Sequence, residues 1–224
     1  MNAVGVLNEN LKAAIFKNLK ELSTIEGNIA SFASDKQPIK TILVTSCSPL
    51  EGKTVSAISM ALALSIEANA KVVLIEGNIS SPRIHELFNI DTVPGLSDLL
   101  ISRANLNEIM RKTEFKNLTV IPSGSDISKK LDVFETERLQ DLIVSLKKDF
   151  DYVIVDGQSV SGSSDVSIIS KYFDGIVFVV ECEKTRWEVL QQSKEKIKGV
   201  GGKILGVVLN KRIYYIPQKV YGKI

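Results

Sequence analysis

Short apolar runs, each closed by a polar residue, recur along this chain. Ile42-Leu43-Val44, Val72-Val73-Leu74-Ile75, Val153-Ile154-Val155 and Ile176-Val177-Phe178-Val179-Val180 are strand-sized and show no polar alternation. A strand that is apolar on every residue is buried on both faces, which requires a mostly parallel sheet with helices on both sides. The chain is therefore expected to be α/β. Strands are predicted at Thr41–Thr45, Lys71–Glu76, Leu118–Pro122, Tyr152–Asp156, Gly175–Glu181 and Lys203–Asn210. Helices are predicted at Lys53–Ala68, Thr136–Lys148, Ser164–Tyr172 and Arg186–Lys198, with short helical pieces between 82 and 112 broken by Pro94-Gly95. Ligands of such sheets bind beyond the carboxyl ends of the strands. The loop before Lys53, Glu76, Asp156, Cys182 and Asn210 all fall at such ends.

The stretch Thr45-Ser46-Cys47-Ser48-Pro49-Leu50-Glu51-Gly52-Lys53-Thr54 joins the first strand to a helix. Strand, tight loop ending Gly-Lys-Thr, then helix is the architecture of a nucleotide phosphate cradle, and the fold it implies is that of a P-loop NTPase. Loop amides and the helix N-terminus face phosphates. Lys53 would neutralise the β/γ-phosphates, Thr54 would offer its hydroxyl to Mg²⁺, and Gly52 allows close backbone approach. Ser48, Pro49, Glu51 and Val55 complete the set expected at the nucleotide. The strict pattern wants Gly where Cys47 stands. Cys47 is either an oxidisable thiol in the loop or a small buried residue.

Asp156, closing a run of apolar residues, has the Walker B arrangement, a second candidate for Mg²⁺ beside Thr54. A simple strand-end acid is its other reading. Glu76 and Asn78 follow their strand in the same way. Glu76 is a candidate to approach the metal and the γ-phosphate, or to orient or deprotonate an attacking hydroxyl. Asn210 would read an adenine edge or simply end a strand. ATP and Mg²⁺ are the expected cofactors.

Leu7, Leu11, Ile15, Leu19 and Leu22 mark an amphipathic helix ending near Gly27, packed on the core or forming a protomer contact. The expected division is 1–38 helix and linker, 39–210 nucleotide-binding domain and 211–224 tail. The net charge of +2 conceals a basic end, since residues 184–224 hold ten Lys/Arg and two acids. Such an end suits acidic lipid or an acidic partner. No nucleic-acid module is recognisable, and nucleic acid is not expected as a partner. The start lacks a secretory pattern and no run approaches bilayer length, which favours the cytosol. Tyr214, Tyr215 and Tyr221 stand in the basic tail, either as phosphate acceptors or as docking aromatics.

From about Phe16 to Asn210 the chain resembles the bacterial tyrosine kinases of capsule and exopolysaccharide export. Ser46 to Thr54 match that family's Ser-x-x-Pro-Gly-Glu-Gly-Lys-Ser/Thr loop at all but one specified position. Pro82, His85 to Phe88, Gly95 to Leu100, Asn117 to Gly124, Asp151 to Asp156 and Gly206 to Asn210 extend the match. The resemblance implies a deviant Walker ATPase that autophosphorylates C-terminal tyrosines between neighbouring subunits. It also implies a ring-like homo-oligomer at the cytoplasmic face of the membrane, and a membrane-embedded co-polymerase or activator that controls polysaccharide chain length. The chain departs from the family's Asp-x-Asp-x-Arg at Glu76-Gly77-Asn78-Ile79-Ser80 and from its Thr-Pro-Pro at Gly157-Gln158-Ser159. Its Glu-x-x-Arg-x-x-Arg contact motif appears as Ala14, Lys17 and Lys20. Those departures leave a catalytically degenerate ATP-binding regulatory subunit, or a partition-type surface-cycling ATPase, as alternatives to an active kinase.

Overall fold

The computed structural model describes residues 4–17, 27, 38–125, 137–163 and 165–212. Its centre is a seven-stranded sheet ordered β3-β4-β2-β5-β1-β6-β7. The strands are β1 Thr41–Ser46, β2 Val72–Glu76, β3 Arg111–Lys112, β4 Leu118–Ile121, β5 Tyr152–Ser159, β6 Gly175–Glu181 and β7 Ile204–Asn210. Every pairing is parallel except β3 with β4. The expected mostly parallel α/β sheet is therefore present. The two-residue β3 was not foreseen, because a strand that short has no periodicity to read.

Side-chain alternation divides the core in two. Leu43, Val73, Ile75, Val153, Val155, Ile176 and Phe178 point to one face. There they meet α4 (Leu96–Leu100), α5 (Leu106–Ile109), α6 (Glu137–Asp149), α7 (Asp165–Ile169) and α8 (Trp187–Gly199). Ile42, Val44, Val72, Leu74, Ile154 and Val179 point to the other, against α1 (Glu9–Lys17), α2 (Lys53–Ile66) and α3 (Ile84–Leu87). All six residues of β1 and all five of β2 are buried. Both faces of these strands remove apolar surface from water, which is why their sequences lack polar alternation.

The N-terminal segment packs on this body. Gly5 donates to the Lys112 carbonyl (2.8 Å) and Val6 to that of Phe88 (2.8 Å), ahead of α1. Leu7 and Ile15 are buried, and Lys12 pairs with Glu114 at 2.5 Å. Core packing is thus the observed arrangement for α1. The remainder of the predicted helix, with Leu19 and Leu22, lies outside the described residues.

The 94–98 turn lies against 122–125, with Leu96 donating to the Pro122 carbonyl at 2.8 Å and Ser97 to that of Ser123 at 2.9 Å. A Cβ on Gly95 would stand 2.3 Å from the Gly124 nitrogen and 2.5 Å from the Pro122 oxygen. Both obstacles are backbone, so relief requires moving the chain. Gly95→Ala is expected to lower unfolding stability by about 1–3 kcal/mol, seen as a lower urea midpoint with an unchanged slope.

Candidate nucleotide site

The site forms where β1 ends between β5 and β6. The chain leaves β1 at Ser46 and turns through 47–52 into α2. Gly52 occupies the N-cap at φ 94, and a Cβ there would meet Asn210 Nδ2 at 1.9 Å. Only glycine satisfies both the left-handed backbone and that contact. No side chain caps α2. Its first-turn N–H groups have no carbonyl one turn behind them and remain directed at a ligand.

Glu51, expected at the nucleotide, is turned inward. Its buried carboxylate accepts from Ser48 N (3.0 Å) and from the Thr185 hydroxyl, and so shapes the loop from within. Asn210 closes β7, one of its two readings, and its amide donates to the Glu51 carbonyl at 2.9 Å, so the side chain braces the phosphate loop. Lys211 adds a bond to the Leu50 carbonyl (2.8 Å) and an ion pair with Glu181 (3.0 Å). Thr185 and Lys211 were missed because topology, not local pattern, brings them to the loop.

Thr54 and Asp156 meet, as the sequence predicts. The Thr54 hydroxyl donates to Asp156 Oδ2 at 2.7 Å. Asp156 is 1% exposed, and its Oδ1 has no hydrogen-bond partner among the described residues. Burial pushes its carboxyl up to about 7, against the Thr54 bond and the Lys53 charge, with Glu76 adding to the rise. Lys53 is buried and makes no ion pair or hydrogen bond among the described residues. A half-satisfied carboxylate, a hydroxyl and an unpaired ammonium fit a hard divalent cation carrying a polyphosphate. Mg²⁺ is held in this way, by one or two protein oxygens plus substrate phosphates and water.

Glu76 does not join them. It lies beside Asp156 in the β2–β5 register, yet its carboxylate is bonded elsewhere. Oε1 accepts from Ile84 N, Oε2 accepts from Ser123 N at 3.0 Å, and His85 Nδ1 stands 3.2 Å from Oε2. Two backbone amides and an imidazole take up most of the carboxylate's acceptor capacity. Glu76, expected as base and metal ligand, is thus bonded to these three groups rather than to Thr54 or Asp156. Asn78 is likewise committed, donating to the Ser81 carbonyl at 2.9 Å.

An open cleft of about 410 Å³ lies over Lys53 and Thr54. Pro49 and Val55 line it, together with Ser80 and Gln158, named above only as departures from the family pattern, and with Ser81 and Arg83, which the sequence did not single out. The Cys47 thiol is buried and pushed up by that burial, against a hydrogen bond with Ser193, which favours its packing role. Tyr214, Tyr215 and Tyr221 lie outside the described residues.

Since the Asp156 carboxyl must lose its proton to bind metal, affinity for Mg²⁺-nucleotide is expected to fall as pH drops. The fall should be about fivefold from pH 7 to pH 6, read by titration calorimetry. In the absence of metal the sign reverses. The folded state holds a proton between the ordinary carboxylate range and about 7, so stability declines as pH rises through that window. Asp156→Asn should abolish that decline, stabilise the metal-free protein at pH 8 by roughly 1–4 kcal/mol, and abolish the pH dependence of binding.

Comparison with known proteins fits this geometry. The AAA domain family matches residues 39–208. The tyrosine-protein kinase CpsD of Streptococcus pneumoniae serotype 4 is similar at 32% identity over 174 residues, covering 77% of this chain and 76% of that protein. The tyrosine-protein kinase YwqD of Bacillus subtilis (strain 168) is 27% identical over 193 residues, 86% of this chain and 81% of its own. Among solved structures, the chimerical protein CapA2B2 superposes with a TM-score of 0.80 at 29% identity, covering 87% of this chain and 85% of that one.

Proposed function

As the chain belongs to the AAA-domain family, and within it to the bacterial tyrosine-protein kinases, we propose that it transfers the γ-phosphoryl of ATP to tyrosine hydroxyls. The reading rests most on one observation. Lys53 is buried without an acid partner beside a Thr54–Asp156 pair that retains an unused carboxylate oxygen.

Thr54 and Asp156 would hold Mg²⁺, which supplies charge neutralisation at the phosphates. Lys53 and the amides of the loop–helix junction stabilise the charge that spreads over the transferred group. The tyrosine oxygen bonds to the γ-phosphorus, the bond to the β-phosphate oxygen breaks, and the phenolic proton passes to solvent. Phosphoryl transfer through a loose transition state depends mainly on positioning and electrostatics. The commitment of Glu76 to Ile84 and Ser123 is therefore compatible with turnover.

Tyr214, Tyr215 and Tyr221 are proposed as acceptors, presented between copies of a homo-oligomer. The basic end of the chain suits the cytoplasmic face of a membrane carrying anionic lipid and a partner of the polysaccharide machinery. Among the described residues no helix is long and apolar enough to cross a membrane.

One observation favours a second reading. With Glu76 bonded to the amides of Ile84 and Ser123, β2 sends no carboxylate to the cleft as a general base. A nucleotide-responsive regulatory subunit with little turnover would have that character.

Intact mass and phosphopeptide mapping after incubation with Mg²⁺-ATP separate the two. Phosphate-sized increments on the tail tyrosines, reduced at least a hundredfold in rate by Lys53→Met, are expected of the kinase. Tight ATP binding with no increment, together with ATP-dependent capture of a membrane partner, is expected of the regulator.

A further inference from the structure

Among the described residues lining the cleft, two side chains carry charge: Lys53, from the phosphate loop, and Arg83, just ahead of α3. The lining residues that precede Arg83 in the chain are neutral and short: Asn78, Ser80 and Ser81. Asn78 is already committed to the Ser81 carbonyl, closing a turn in which Ser81 N returns a bond to the Asn78 carbonyl at 3.2 Å. A polyphosphate seated on Lys53 would therefore meet Arg83 as the next cation along the cleft.

Arg83 is positioned by the carboxylate corrected above. Glu76 Oε1 accepts from the amide of Ile84, the next residue, and its other contacts fix His85 and Ser123. The backbone around Arg83 is thus clasped to the end of β2, one register step from Asp156. The guanidinium itself is lightly held. Its ion pair with Glu86 (2.9 Å) is 63% exposed on the arginine side and 55% on the glutamate side. Exposed pairs of this kind contribute little, and a phosphate oxygen pair is a stronger bidentate partner for a guanidinium.

We propose that Arg83 contacts the terminal phosphate and makes the site selective for a nucleoside triphosphate over a diphosphate, with Glu76 as its positioning residue. This rests on the nucleotide reading of the cleft. Lys53 and the loop grip the phosphates common to ATP and ADP, whereas Arg83 meets the group present in ATP alone. The role of Glu76 becomes geometric. It holds the backbone around Arg83 in place.

The test is calorimetric binding of ADP and of an ATP analogue with an imido β,γ bridge, both with Mg²⁺, to the full chain. Arg83→Ala is expected to weaken the triphosphate analogue tenfold or more while changing ADP affinity less than about twofold. Arg83→Lys should recover part of the loss, since it restores charge without the fork. Glu86→Ala, which releases the guanidinium, should leave the preference intact or increase it. Glu76→Gln should reduce the preference in step with Arg83→Ala, with ADP binding retained as evidence of an intact loop. An unchanged triphosphate-to-diphosphate ratio in Arg83→Ala, or an equal loss for both ligands, overturns the proposal. Wild-type protein that binds neither nucleotide overturns the nucleotide reading itself, a different outcome from selective loss in one variant.

Discussion

β1 is covered on both faces and hydrogen-bonded along both edges, so it can offer polar groups to a ligand only where it stops. That constraint organises the rest of the site. Pairing β1 between β5 and β6 brings Asp156 into register with Val44, and the turn that follows β1 carries Thr54 back over the same carboxylate. A buried acid next to a buried ammonium is costly to maintain on the protein's own groups, because each has lost water without gaining a full partner. Asp156 responds by holding its proton to about pH 7. A cation and a polyphosphate together would relieve both costs, which gives the site a thermodynamic bias toward such a ligand.

The loop is braced from elements distant in sequence. Glu51 is satisfied by Ser48 and by Thr185 in the segment after β6, and its carbonyl by Asn210 at the end of β7. The cradle therefore depends on two strands that contribute no side chain to the cleft. Leu50, at φ 65 and largely exposed, is held in the left-handed region by these bonds on either side. A non-glycine residue there is sterically unfavourable, and it persists because the surrounding contacts over-determine it.

Much of this was legible in the chain. Continuous apolar runs gave the parallel sheet and nearly all its strands, since two-sided burial leaves a composition signal that local reading can detect. Gly52-Lys53-Thr54 and Asp156 were found from local pattern because each sits at a strand terminus with a recognisable neighbourhood. The partners of Asn210 and Glu76 were not legible for a common reason. Position at a strand end says where a side chain starts, but its partners come from segments far away in sequence, Glu51 in one case and Ser123 in the other. Arg83 left no local signal at all. It belongs to a turn, and only the clasp on Ile84 shows that the turn is fixed.

Lys211 joins the carbonyl of Leu50 to Glu181 at the point where the chain leaves the sheet for its terminal segment. Linkage between equilibria is reciprocal. Occupancy that firms up the loop must also steady this departure point, and a protein that grips the terminal segment must be felt at the loop. The strength of that exchange is capped by a few solvent-screened contacts, so it would act as a gentle bias on loading, with no capacity to lock the protein in either state.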